Sequence, residues 1–171
     1  MSKIPYDLKQ IKAVVFDVLS TSTILLGDNG VPRRTVNIKD GFAMQLAVKR
    51  GLKLAIITGA VSPGIEERYR NLGITDIHCG AGMKLPIFMQ WMERNGFSPS
   101  EVAYVGDDVP DYECMKLAGL AVAPSDCAAD IMRIADYISP ITGGNGVARD
   151  LLEEILRAQE CWALSDKAFG W

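Results

Sequence analysis

Residues 12–24 read KAVVFDVLSTSTI. Four apolar residues, 13–16, run into Asp17, and small hydroxyl side chains follow at once. So short and apolar a run is a buried strand. A carboxylate at the end of an apolar layer has to be paired or solvated. Asp17 is therefore a turn residue, a working nucleophile, or the remnant of a site that has lost a partner.

The pattern on either side decides the fold. Residues 40–51, DGFAMQLAVKRG, predict a helix with Asp40 as its cap, Phe42, Leu46 and Ala47 on one face, and Gly51 as its stop. Residues 52–58, LKLAIIT, predict a second buried strand. In SPGIEERYRNLG, 62–73, Ser62 caps a helix, Pro63 takes its first position and Gly73 follows its end. Strands are predicted near 76–80 and at 101–107, 120–124 and 136–139. Helices are predicted at 85–96, 110–119, 127–135 and 146–160. Strand and helix alternate, which implies an α/β fold with a Rossmann-like parallel sheet and helices on both faces. Residues 20–39 break the rhythm: GDNG at 27–30 lies between TILL and RRTVNI and predicts a β-hairpin projecting beyond the first strand.

Bulk properties narrow the class. A chain of 171 residues with 49% apolar content suits one globular domain, 1–171. The net charge of −3 and the lack of a basic stripe argue against nucleic acid as a partner. No segment reaches the roughly 18 to 20 apolar residues of a membrane span, and the first ten residues carry no signal-peptide core, so a cytoplasmic protein is expected. The four cysteines form no CxxC pair and read as reduced thiols. His78 is the single histidine and falls at a predicted strand end, which disfavours a Ser-His-Asp mechanism.

In an open parallel sheet, ligands collect beyond the carboxyl ends of the strands. Asp17 follows the first strand, and Thr58 and Gly59 follow the second. Gly106, Asp107, Asp108 and, a turn later, Asp111 follow EVAYV, while Lys84 opens the helix before it. Each is ordinary alone; their occurrence in this order on one sheet is not. Grouped carboxylates repel and need a cation, and an all-oxygen set suits Mg²⁺. A threonine hydroxyl and a lysine ammonium suit phosphoryl oxygens, and an aspartate can form an aspartyl-phosphate. The set implies Mg²⁺-assisted phosphoryl transfer through a covalent intermediate. GGNGVAR at 143–149 lacks the third glycine of a dinucleotide loop and predicts a tight turn opening the last helix, with Arg149 a candidate to face an anion.

These residues resemble the haloacid dehalogenase superfamily. More narrowly, the chain is similar to the small capless phosphatases that hydrolyse 3-deoxy-D-manno-octulosonate 8-phosphate, and to their nonulosonate 9-phosphate relatives. The matching stretches are FDV, RTVNIKDGFAMQLAVKRG, AIITG, RYRNLGI, Lys84, VAYVGDDVPDYECM and GGNGVARD, which span most of 11–159. The resemblance implies a β-hairpin flap at 20–39, no separate cap domain, and a C-terminal tail at 161–171. It implies a cytoplasmic homotetramer of lipopolysaccharide biosynthesis, a small sugar-acid phosphate as substrate, and Mg²⁺ as cofactor. Asp17 would be the nucleophile and a metal ligand. Thr58, Gly59 and Lys84 would bind the phosphoryl group, and Arg68 and Arg149 the rest of the substrate. Asp107 would hold Mg²⁺ directly, with Asp108 or Asp111 supporting it through water.

The first motif departs from the pattern. The family carries Asp-x-Asp-Gly-Val, whose second aspartate is the general acid and base; here the chain reads DVLSTST. Read without a gap, Leu19 takes the acid's place. Read with one, which fits LSTSTI better, three residues are missing between Val18 and Leu19. Either way the acid is absent, and hydrolysis is expected to be impaired, the alternative being a weak or inactive ligand-binding or assembly homologue. Ala60 also stands where many relatives have a basic residue after Thr-Gly. A lyase of the same superfamily is disfavoured by the acidic GDDVPD cluster and the lack of a cap insertion.

Overall fold

The computed structural model describes residues 2–17, 25–26, 32–33 and 35–162. Its strands are β1 Ala13–Phe16, β2 Leu25–Leu26, β3 Pro32–Arg33, β4 Lys53–Ile57, β5 Asp76–His78, β6 Val102–Val105, β7 Leu120–Ala123 and β8 Tyr137–Ile138. Its helices are α1 Ile38–Lys49, α2 Pro63–Asn71, α3 Lys84–Asn95, α4 Tyr112–Leu117, α5 Ala129–Met132 and α6 Val147–Ala158. Six strands form one parallel sheet in the order β5-β4-β1-β6-β7-β8. β2 and β3 pair antiparallel, Leu25 opposite Arg33, so the hairpin forms within the expected flap. The rest of residues 18–34 and the tail from 163 onward lie outside the described residues.

Side chains on a strand alternate between faces, and the core divides accordingly. Val14, Phe16, Leu54, Ile56, Ala103 and Val105 face α1, α2 and α6. Ala13, Val15, Ala55, Ile57, Val102 and Tyr104 face α3, α4 and α5. Covered on both sides, β1, β6 and β7 are buried at every position, which is why they read as continuous, mostly aliphatic runs.

Local signals set most boundaries. Gly96 ends α3 in the left-handed conformation at φ 70°, which costs glycine nothing. α2 starts on Pro63 after an extended Ser62, whose hydroxyl makes no capping bond. One expectation fails: Asp40 is not the cap of α1. Asn37 is, its side chain accepting from the backbone N–H groups of Lys39 and Asp40. Asp40 lies inside the first turn, buried, and its Oδ1 accepts the N–H of Arg149 at 2.7 Å. It thereby caps the first turn of α6, whose own cap position is Gly146, with no side chain to offer.

Candidate active site

β1 lies between β4 and β6, in register with both, Phe16 opposite Ile56 and Val105. Asp17 continues the ladder by one bond, its N–H donating to the Val105 carbonyl at 3.0 Å. The register therefore carries Asp17, Thr58 and Asp107 to the same edge of the sheet, on three adjacent strands.

Lys84 opens α3 and is almost fully buried. Its Nζ lies 2.9 Å from Asp17 Oδ2 and 2.8 Å from Asp111 Oδ1. Burial works against the charge on Lys84, but the Asp111 and Asp17 carboxylates outweigh it and hold its pKa above the ordinary lysine value. Asp17, Asp107 and Asp111 each offer a carboxylate oxygen, all within 4.8 Å of one another. Asp111 reaches this group from a short 3-10 turn, Val109–Asp111, and is fully buried. Its Oδ2 accepts the Asp107 N–H at 3.3 Å, and its Oδ1 accepts the Tyr104 hydroxyl at 3.0 Å. Gly106 permits this approach: a Cβ there would stand 2.6 Å from Asp111 Cγ.

The other candidates are placed as follows. Thr58 is buried at the end of β4; its N–H donates to the His78 carbonyl, and its hydroxyl accepts the Ala60 N–H at 3.2 Å, which fixes the turn through exposed Gly59. Asp108 is exposed and accepts the Val109 N–H at 2.8 Å, outside the three-carboxylate group. Arg68, on α2, lies against Gly41 and lines a pocket with Asn37, Asp40 and Tyr69 between α1 and α2. Arg149 is drawn elsewhere. Its Nε donates to Glu153 at 2.7 Å, and its guanidinium stacks 4.5 Å from the Trp162 ring and 5.5 Å from that of Phe42. The reading from residues alone passed over Tyr104. Its one signal was a phenol within an otherwise aliphatic strand, two residues before Gly106.

The donor set fits a hard divalent cation. Three carboxylates are grouped beside one ammonium, which pairs with Asp17 and Asp111, leaving an excess of negative charge. Burial, then the Asp17 and Asp111 charges, push the Asp107 carboxyl up to about 6, and Asp111 is raised by burial and by Asp17. Carboxylates that resist ionisation so close together are what an oxygen-seeking cation relieves.

A family-wide sequence profile described as haloacid dehalogenase-like hydrolase matches residues 38–124. The 3-deoxy-D-manno-octulosonate 8-phosphate phosphatase KdsC of Escherichia coli K12 is 36% identical over 154 residues, 88% of this chain and 82% of its own. The crystal structure of the 3-deoxy-D-manno-octulosonate 8-phosphate phosphatase of Moraxella catarrhalis, in complex with magnesium, phosphate and KDO, superposes with a TM-score of 0.86 at 34% identity, covering 90% of each chain. The cobalt-bound phosphatase YrbI of Haemophilus influenzae superposes with a TM-score of 0.84 at 25% identity, covering 90% of this chain and 92% of its own. The chain belongs to the haloacid dehalogenase-like hydrolases, in the group of 3-deoxy-D-manno-octulosonate 8-phosphate phosphatase-like proteins.

Proposed function

We propose that the chain is a phosphoric monoester hydrolase acting on a sugar-acid phosphate of the 3-deoxy-D-manno-octulosonate 8-phosphate type, slowed by the shortened first motif. The observation that carries this reading is the convergence of Lys84 with Asp17, Asp107 and Asp111 at the carboxyl edge of the sheet. Relatives with this name, similar over most of the chain, support the substrate class.

In this reading the Asp17 carboxylate attacks phosphorus, and the bond from phosphorus to the sugar oxygen breaks, its electron pair leaving with the sugar. Water then attacks the aspartyl-phosphate, releasing phosphate and restoring Asp17. Lys84 and Thr58 donate to the phosphoryl oxygens. Asp17 and Asp107 hold Mg²⁺, with Asp111 or Asp108 behind them, and Arg68 and Gly59 contribute to the substrate pocket. Arg149 acts on the sugar acid only if it leaves Glu153 and Trp162. Bound Mg²⁺ supplies neutralisation of the phosphoryl charge and polarisation of the phosphoryl group.

The leaving oxygen needs a proton and the attacking water must lose one. With DVLSTST in the first motif, no aspartate two residues after Asp17 does either. General acid-base catalysis contributes about 10²- to 10⁴-fold, so loss of this order is expected. The test is phosphate release from a panel of sugar-acid phosphates, with and without Mg²⁺, before and after inserting Asp-Gly-Val between Val18 and Leu19. The insertion is expected to raise the rate by about 10²-fold or more. An insertion that changes nothing overturns the account of the defect. The same missing aspartate favours a second reading, a ligand-binding or assembly homologue. That reading predicts uptake of Mg²⁺ and phosphate without turnover even on the panel's best substrate.

We further propose a single domain over 1–171 with a flap at 20–39 and a tail at 161–171, assembled as a homotetramer in the cytoplasm. Exposed apolar side chains at the sheet's carboxyl edge support assembly: Val36 and Ile38 at the start of α1, Val61 after β4, Met83 before α3 and Val109 after β6.

A further inference from the structure

Tyr104 sits in the middle of the sheet with no solvent exposure. Phe88 packs edge-on against its ring, with centroids 5.2 Å apart, and apolar side chains surround it, with the Cys114 thiol beside the hydroxyl. A phenylalanine would fill this space equally well. Burying a hydroxyl costs free energy unless it is bonded, so the oxygen needs a purpose. It donates to Asp111 Oδ1 at 3.0 Å, the atom that also receives Lys84 Nζ at 2.8 Å.

A carboxylate oxygen offers about two acceptor sites. Oδ1 of Asp111 is therefore filled by Lys84 and Tyr104. Oδ2 accepts the Asp107 N–H alone among the described residues, at the longer distance of 3.3 Å. The oxygen with accepting capacity left is thus the one on the Asp107 side, on a carboxylate that belongs to the three-carboxylate group.

We infer that Tyr104 is a positioning residue for the cation site. By filling Oδ1, it fixes the rotation of the Asp111 carboxylate and keeps Oδ2 available on the Asp107 side. Without the hydroxyl, Oδ1 loses one of its two donors in a buried place, and the carboxylate turns to recover it. This inference rests on the proposed reading that the acidic group takes Mg²⁺.

The test is calorimetric titration of the full chain with MgCl₂, for wild type, Tyr104→Phe and Phe88→Leu. Replacing an outer-shell partner typically weakens metal binding about 10- to 100-fold, and that loss is expected for Tyr104→Phe. The rise in unfolding temperature caused by a fixed Mg²⁺ concentration should shrink in parallel. Phe88→Leu loosens packing on the same ring but keeps the hydroxyl. It is expected to lower the metal-free unfolding temperature and leave Mg²⁺ affinity unchanged. If wild type binds Mg²⁺ and Tyr104→Phe binds it as tightly, this inference alone fails. It also fails if Phe88→Leu weakens binding as much as Tyr104→Phe, since packing then accounts for the effect. A wild type that takes up no Mg²⁺ overturns the functional reading and this inference together.

Discussion

Lys84 is the hinge of the site at the scale of single residues. It is the buried cation that meets both Asp17 and Asp111, and its charge is held by them against the cost of burial. Lys84→Met keeps much of the side-chain volume and removes the ammonium. Breaking a buried pair by deleting one partner costs on the order of 3 kcal/mol, because the remaining charge stays buried and unpaired. The variant is expected to lose about that much stability in urea unfolding without metal at pH 8. It should recover part of it at pH 5, where Asp107, already raised to about 6, takes up a proton. Phosphate release should fall by about 10²- to 10³-fold, the usual effect of removing a donor to developing charge. A variant as stable as wild type at pH 8 would contradict the electrostatic account of the cluster. The sequence showed Lys84 and each aspartate as separate candidates; it could not rank Asp108 and Asp111. The ranking depends on the 3-10 turn Val109–Asp111, which turns one carboxylate inward while its neighbour closes on the Val109 N–H.

At the scale of elements, the contact between α1 and α6 carries a titratable group. Asp40 is 5% exposed, and its Oδ2 has no partner among the described residues. Burial raises its carboxyl to about 6, with the bond and charge of Arg149 working the other way. The folded chain therefore binds this proton more tightly than the unfolded chain, whose value is near 3.8. Below the unfolded value both states are protonated and the group is neutral to stability. As pH rises from there to about 6, the unfolded chain gives up the proton while the folded chain holds it, so stability falls, and above that pH the loss persists as the cost of an ionised buried carboxylate. A displacement of this size corresponds to on the order of 3 kcal/mol. Asp40→Asn keeps an oxygen for the Arg149 N–H and removes the charge. Urea unfolding is expected to find it more stable than wild type at pH 8, with the advantage gone at pH 4. The pattern DGFAMQLAVKRG could suggest a helix start but not that Asp40 serves a different helix, since its partner lies more than a hundred residues away in the chain.

At the scale of the whole molecule, the sheet edge that carries the site also carries exposed apolar side chains. Ile38, Val61, Met83 and Val109 are each more than half exposed, and all lie at the ends of strands or starts of helices on that edge. Analytical ultracentrifugation is expected to give a mass near four times 18.6 kDa for wild type and smaller species for Val61→Glu/Met83→Glu. A monomeric wild type would sink the assembly proposal.

The chain's own order of residues determined the alternation of strands and helices, the two-faced burial of the sheet, and which polar residues stand after β1, β4 and β6. These are local properties: period, caps and turn residues act within a few positions, and the carboxyl ends of parallel strands are bound to share one edge. Tertiary structure alone decided that Asp111 rather than Asp108 joins Asp17 and Asp107. It decided too that Tyr104 bonds Asp111, that Arg149 turns to Glu153 and Trp162, and that Asp40 caps α6. Each of these depends on where a side chain points once distant segments have packed, and no spacing along the chain encodes that direction.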